Sequence, residues 1–404
     1  MSGYVSDLFF VLLVAVLAPL AARGASQWIR MPSIVMEMLL GMLIGPYVLQ
    51  WVTPEGVVGV LGEVGLAFLI FLVAIEIDTG RTGCNVWASA AKGWGASFLL
   101  ALLVTSVLYT ADLIRLPPVI AAAALTTTAL GVLAPVLREN REMDTPLGQL
   151  LLALGAMGEV APMLILSLMI IPTMGSWWHM LTLSGFLVGA YGIWRIVATA
   201  SAAAGEHQLM LTVSRQGAYF PLRLSLLLLG FLVLIADKAG VNIVLGAGAA
   251  GFIAGRIMRS EDGRQLRAQL DSFGYGFLVP VFFVTAGMRF DPSVFASGPL
   301  AVFQVAVLLV LLLFIRLLPL FYFRRWLPEG NWVALALYSA TGLPVMVIIT
   351  ELALKYDLML PERAMVLVSS GMISVLVFPL LAERSKVWFP VKLPSTSMDD
   401  SLKE

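Results

Sequence analysis

The sequence is poor in the residue types that most often carry chemistry. Its single cysteine, Cys84, excludes an internal disulfide and any cysteine metal motif. Two histidines, His179 and His207, are too few for a histidine metal centre. Charged residues make up 12% of the 404 residues, against about 25% in soluble domains. Neither sign is in excess, at 25 basic and 25 acidic residues, so net charge gives no case for a nucleic-acid partner. No cofactor is expected. What is abundant is apolar: 60% of residues are hydrophobic and the mean hydropathy is +0.94, the composition of a multi-pass membrane protein in lipid. No short apolar segment ending in a small-residue cleavage site precedes the first span, so the amino-terminal segment is expected to stay in the mature chain. The tail after Val387 is polar and too short for a soluble nucleotide-binding domain.

Apolar windows broken by Gly, Pro and charge predict an all-α protein of thirteen spans. They fall at about 5–22, 32–50, 57–77, 91–111, 117–137, 147–171, 177–200, 222–237, 240–258, 272–289, 299–323, 331–354 and 363–382. An odd count puts the termini on opposite sides. With the amino terminus outside, eighteen Lys and Arg residues fall on inside segments, among them Arg23, Arg138, Arg264 and Arg324, against five outside: Arg115, Lys238, Arg289, Lys355 and Arg363. This asymmetry places the carboxyl terminus in the cytoplasm. The indoles of Trp177, Trp178 and Trp326 suit the headgroup layer.

The longest polar connection, 201–221, divides the chain into six spans, one linking span and six more. Six plus one starts the second set on the opposite side of the membrane, so repeated halves would be inverted ones. The expected organisation is one transporter unit over 1–390, with a first repeat at 1–171, a link at 172–221 and an inverted repeat at 222–390, followed by a tail at 391–404. FLVAIEID, from Phe71 to Asp78, is similar to FFVTAGMRFD, from Phe282 to Asp291, which is its partner under this pairing. Spaced glycines match LLGMLIGP with GAGAAGFIAG, although close helix packing alone accounts for such spacing. The same pairing matches the two most interrupted spans. One holds Thr127, Thr128, Gly131 and Pro135, and the other Gly342 and Pro344. Proline removes a backbone donor and glycine favours unwinding, which frees oxygens that suit a small cation, unless neighbouring helices satisfy them.

Between these in the chain lies the most informative stretch, 147–171, with one ionisable residue, Glu159, twelve residues from either end. Near the membrane centre an ionised carboxylate costs at least ~2.5 kcal/mol on insertion scales, so it faces protein or water, or takes up a proton. A carboxylate so placed trades protons for cations; the plainer reading is a neutral acid bonded to a neighbouring helix. Arg316 is a second deep charge. It either snorkels to the inner surface or supplies a fixed positive counter-charge to the acid. Glu37, Glu63, Glu76, Asp78, Asp237, Arg289 and Asp291 lie near span ends, where solvation or loop contacts explain them better than a transport role, and Arg195 is placed to snorkel.

Five stretches resemble the monovalent cation/proton antiporters of the second division, which includes bacterial sodium/proton and potassium/proton exchangers. They are MPSIVMEMLLGMLIGP, GEVGLAFLIFLVAIEID, LTTTALGVLAPVLRE, VLGAGAAGFIAG and VPVFFVTAGMRFD, in the family's order, and the resemblance runs from about Met31 to Ala382. It implies two crossed, unwound helices beside an essential acid, a homodimer in a bacterial inner membrane, and exchange of Na⁺ or K⁺ for H⁺. Glu159 matches the acid, Thr127 and Thr128 the polar unwound segment, and Arg316 a basic position. Gly158 departs from the pattern, since many relatives carry Asp, Asn or Gln before the acid. No enzymatic chemistry is expected. The competing functional class is a membrane scaffold or sensor in which Glu159 is structural. A channel is disfavoured by a single buried carboxylate where conduction calls for several weak sites in a row.

Overall fold

The computed structural model describes residues 2–25, 33–76, 84–111, 117–173, 178–204, 219–239, 243–258, 261–292, 298–320, 323, 327, 331–355 and 359–388. Asp78, Trp177, Trp326, His207 and the tail fall outside this range, as do the side chains of Glu76 and Trp178.

In lipid every backbone donor needs a partner within the protein, and apolar sequences of this length answer with helices. The chain forms α1 (Ser2–Ala25), α2 (Ser33–Ile44), α3 (Gly56–Glu76), α4 (Cys84–Thr110), α5 (Pro118–Leu125), α6 (Leu130–Glu139), α7 (Pro146–Thr173) and α8 (Trp178–Ala204). There follow α9 (Phe220–Lys238), α10 (Ile243–Ile257), α11 (Glu261–Phe273), a π turn (Gly274–Leu278), α12 (Val279–Met288), α13 (Pro299–Leu320), α14 (Asn331–Ser339), α15 (Pro344–Lys355) and α16 (Pro361–Trp388). Among the described residues, nine stretches are long and apolar enough to cross a membrane, and 33–44 and 243–256 are shorter apolar helices. The span predicted at 272–289 begins earlier, because the charged α11 runs unbroken through the π turn into α12. Hydropathy does not register the part of a helix that leaves the bilayer.

Helix packing separates two bundles. In the first, α3 packs on α10 and α12, α2 on α12 and α1, and α10 on α9. In the second, α4 packs on α5, α7 and α13, while α16 packs on α13, α14 and α15. Each bundle therefore takes helices from both halves of the chain. α6 packs on α7 in the second bundle and on α3 in the first, while α8 lies on α10.

Glycines set the spacing of the first bundle. A β-carbon on Gly41 would meet the backbone carbonyl of Val284, and one on Gly287 that of Met38, so α2 and α12 touch backbone to backbone. Gly251 on α10 approaches the Phe71 carbonyl of α3 in the same way. The spaced glycines of the sequence are thus packing positions. Beside them Glu37, for which nearness to a span end suggested solvation or loop contacts, is buried on α2 and has an interaction partner. Glu63 and Arg289 are exposed, with their charged groups 3.9 Å apart.

The backbone contact at Gly41 yields a first prediction. Gly41→Ala forces α2 away from α12 and is expected to cost about 1–3 kcal/mol, as overpacking does. Gly24→Ala, where a β-carbon meets nothing within 4 Å, is expected to leave stability unchanged. Thermal unfolding of the two variants in detergent checks the contrast.

Candidate functional site

The break between α5 and α6 arises from competition for carbonyls. Thr126 Oγ1 donates to Ala122 O at 2.7 Å and Thr127 Oγ1 to Ala124 O at 2.9 Å, so hydroxyls tie off the end of α5. Residues 126–129 then leave the helix, with Thr126, Thr127 and Thr128 fully buried at 0% exposure. Every backbone N–H from Thr126 to Leu133 nevertheless has a partner. Thr126 and Thr127 bond back to Ala122 and Ala124, Thr128 N donates to Gly158 O at 3.3 Å, and Ala129 N donates to Thr341 O at 2.7 Å. Leu130 N goes to Thr128 O, and Val132 N and Leu133 N both go to Ala129 O. Gly131 N takes a side chain, Glu159 Oε1, at 3.3 Å.

Two of the expected helix-break residues are therefore elsewhere. Gly131 is the second residue of α6, and Pro135 lies inside that helix. Three consecutive threonines, able to bond their own backbone, end α5 before the chain reaches either residue. On the other broken span, residues 340–343 are non-helical; Gly342 sits among them and Pro344 opens α15, the helix position that proline's fixed φ suits.

The two breaks meet. Thr128 Oγ1 donates to Ser339 O at 2.9 Å, and a β-carbon on Gly342 would collide with Thr127 Oγ1. Arg316 reaches the junction from α13: its Nη2 donates to Thr126 O and, at 2.9 Å, to Thr128 Oγ1. At 1% exposure, its guanidinium is held in the break and does not snorkel to a surface.

Glu159, on α7, is 4% exposed. Its carboxylate sits at the amino-terminal end of α6, where the helix dipole is positive, and Arg316 sits at the carboxyl-terminal end of α5, where it is negative. No ion pair links the two side chains among the described residues. Each charge is balanced first by a half-helix end. Glu159 also borders a cavity of ≈ 620 Å³, walled by apolar side chains including Ile70 and Val73 of α3, Phe186 and Trp194 of α8 and Phe252 of α10.

Gly158 has a steric explanation. A β-carbon there would lie 2.6 Å from Thr128 Oγ1 and 2.9 Å from Thr128 N, so a larger residue requires the break to move off α7. Sequence reasoning missed two supports of the junction. Trp94 Nε1, from α4, donates to Thr126 O at 3.1 Å, and Ser374 Oγ, from α16, accepts from Gly342 N at 3.2 Å. A tryptophan between glycines and a serine in an apolar helix carry no local mark of those roles. Beside the second break, Lys386 Nζ bridges Glu142 and Glu383 at 2.6 and 2.9 Å, and the buried Tyr338 hydroxyl donates to Glu383.

This geometry gives a second prediction. Thr128→Val removes one of the two acceptors of Arg316 and the donor to Ser339 O, and is expected to cost about 1–3 kcal/mol, the price of leaving buried polar groups unpaired. Thr128→Ser keeps the hydroxyl and is expected to stay near the parent, with Tm in detergent as the measure.

Comparison with known proteins agrees with this architecture. A solved structure, the sodium proton antiporter MjNhaP1 from Methanocaldococcus jannaschii at pH 8, matches with a TM-score of 0.60 at 17% identity, covering 94% of this chain and 98% of that one. Among curated proteins, the putative Na⁺/H⁺ antiporter YjbQ of Bacillus subtilis (strain 168) is 34% identical over 95 residues, 24% of this chain and 15% of that protein. The Na⁺/H⁺-K⁺ antiporter GerN of Bacillus cereus is 28% identical over 93 residues, 23% of this chain and 24% of that one. The aligned stretches thus span less than a quarter of either relative's length. Residues 12–383 match the family described as "Sodium/hydrogen exchanger, transmembrane". That match covers most of the 404 residues, and the chain belongs to the sodium/hydrogen exchanger family, a family of transporters and not of enzymes.

Proposed function

We propose that the protein exchanges Na⁺ or K⁺ for protons by alternating access, with proton and cation competing for Glu159. The observation that carries this reading is one buried carboxylate that caps a half-helix at the edge of a cavity. Moving that carboxylate across an apolar barrier while charged and empty is costly; neutralised by a proton or paired with a cation, it faces a far smaller penalty. Occupancy therefore gates the movement. The names of the relatives, Na⁺/H⁺ and Na⁺/H⁺-K⁺ antiporters, support the choice of ions.

Thr127 and Thr128 complete the ion site in this reading. The Thr128 hydroxyl oxygen is occupied by Arg316 here, so an arriving cation displaces the guanidinium from it, and Arg316 stands in for the cation when the site is empty. Arg316 thus acts as a counter-charge through the break and not through direct contact with the acid.

The topology that suits this mechanism has thirteen crossings: the nine long stretches, the two shorter apolar helices, α8, and the broken pair α14 and α15. The halves 1–171 and 222–390 form inverted repeats joined by 172–221, a relation supported by the way both bundles draw on both halves. The amino terminus lies outside and the carboxyl terminus in the cytoplasm of a bacterial inner membrane, and the assembly is a homodimer.

Purified protein in liposomes, with a pH-sensitive dye inside, tests the function. Addition of Na⁺ or K⁺ is expected to change internal pH. Glu159→Gln is expected to abolish that response while leaving Tm near the parent, because the amide oxygen still accepts from Gly131 N but the group cannot exchange a proton for a cation. A variant that exchanges at the parent's rate would make Glu159 structural. Silence of the parent towards Na⁺, K⁺ and Li⁺ in both directions would favour a scaffold or sensor.

A further inference from the structure

At the far end of α6 from Glu159 lies a contact that the exchange reading does not use. Arg138, in the last turn of α6, brings Nη1 to 3.0 Å from Asp271 Oδ2 on α11. The same guanidinium lies 4.9 Å over the ring of Tyr275, in the π turn. One side chain from α6, which packs on α7 of the second bundle, thus holds α11 and the π turn, which pack on α9 and α3 of the first, by an ion pair and by a cation–π contact. The helix that carries Arg138 also packs on α3 of the first bundle. The π turn is wedged against the same helix: a β-carbon on Gly274 would lie 2.6 Å from Phe68 and 2.5 Å from Leu72.

α6 connects this contact to the ion site. Its ten residues form a rod of about 15 Å at 1.5 Å per residue. One end is capped by Glu159 and the other carries Arg138. The receiving helix is irregular at the matching place, and π turns recur at functional positions. Side chains of Arg138 and Asp271 remain 35% and 25% exposed, so the pair is partly solvated.

We propose that Arg138, Asp271 and Tyr275 form a latch that joins the two bundles at their cytoplasmic ends, opens and re-forms in each exchange cycle, and is linked by α6 to the occupancy of Glu159. The inference rests on the alternating-access reading above. A partly exposed ion pair biases an equilibrium by about fivefold at most, so the latch favours one arrangement of the bundles without trapping it.

Two experiments test it. In a Cys84→Ser background, Arg138→Cys and Asp271→Cys are introduced together, and the reconstituted protein is bridged with a short bis-methanethiosulfonate reagent. Exchange is expected to fall to the level of empty liposomes on bridging and to return on reduction, while each single-cysteine variant treated in the same way keeps its rate. Exchange that continues unchanged in the bridged protein overturns the latch. Absence of exchange in the parent as well would instead overturn the transport reading, which separates the two failures. The second experiment needs no bridge. In the same Cys84→Ser background, with Ala74→Cys as reporter on the cavity wall, Arg138→Gln is expected to change the rate of maleimide labelling by about twofold to fivefold, and the charge exchange Arg138→Asp with Asp271→Arg is expected to restore it. Identical labelling in parent and Arg138→Gln makes the contact an ordinary surface pair and overturns the proposal.

Discussion

Peptide groups released from a helix in an apolar interior must find new partners, and the junction of the two broken spans is arranged around that requirement. Leaving one such group unpaired costs several kcal/mol in hydrocarbon, so the break persists only because each released donor is received. Threonine hydroxyls, the facing break, the Gly158 carbonyl and Glu159 divide the work. Charge follows from the same constraint. The carbonyl end of α5 draws in Arg316 and the indole of Trp94, while the amide end of α6 draws in Glu159. Two opposite charges can therefore sit in one low-dielectric region without bonding to each other, and the carboxylate keeps coordination capacity that a direct guanidinium partner would consume.

The bundles differ in how tightly they are tied. Within the first, glycines bring α2, α3, α10 and α12 into backbone contact. Within the second, the broken spans are bonded to one another, and α14 and α16 are tied by Tyr338, Glu383 and Lys386. Between them lie α6 against α3, the bordering α8, and a cavity whose walls come from both bundles. Movement has least to break along that boundary.

Much of this was legible from hydropathy and punctuation. The buried carboxylate announced itself as a lone charge in a long apolar run, and the two interrupted spans as clusters of Thr, Gly and Pro. The location of the first break was less legible: Gly131 and Pro135 drew attention, yet both are helical, because threonines bonded to the preceding turn end α5 earlier. Arg316 was recognised as deep, but its role as a helix-end partner depends on a junction formed by residues far away in sequence. Trp94, Ser374 and the glycine fit at Gly158 were not legible at all, since their meaning lies in which helices happen to face each other. Glu37 shows the reverse case, in which nearness to a span end suggested water or loop contacts at a position that helix packing has buried.

The glycine face of α7 has a mechanical consequence. Gly155 accommodates Leu130 and Gly158 abuts Thr128, so the helix that carries the carboxylate and the start of α6 are in contact with no side chain on α7 to act as a spring. Compliance in a helical protein comes from side chains that change rotamer, and here α7 contributes none: the Leu130 and Thr128 side chains are pressed directly onto its backbone. Glu159, both breaks and Arg316 are tied into one block by hydrogen bonds and close contacts, so any displacement of the carboxylate would be shared by the whole block and its strain would fall on the perimeter.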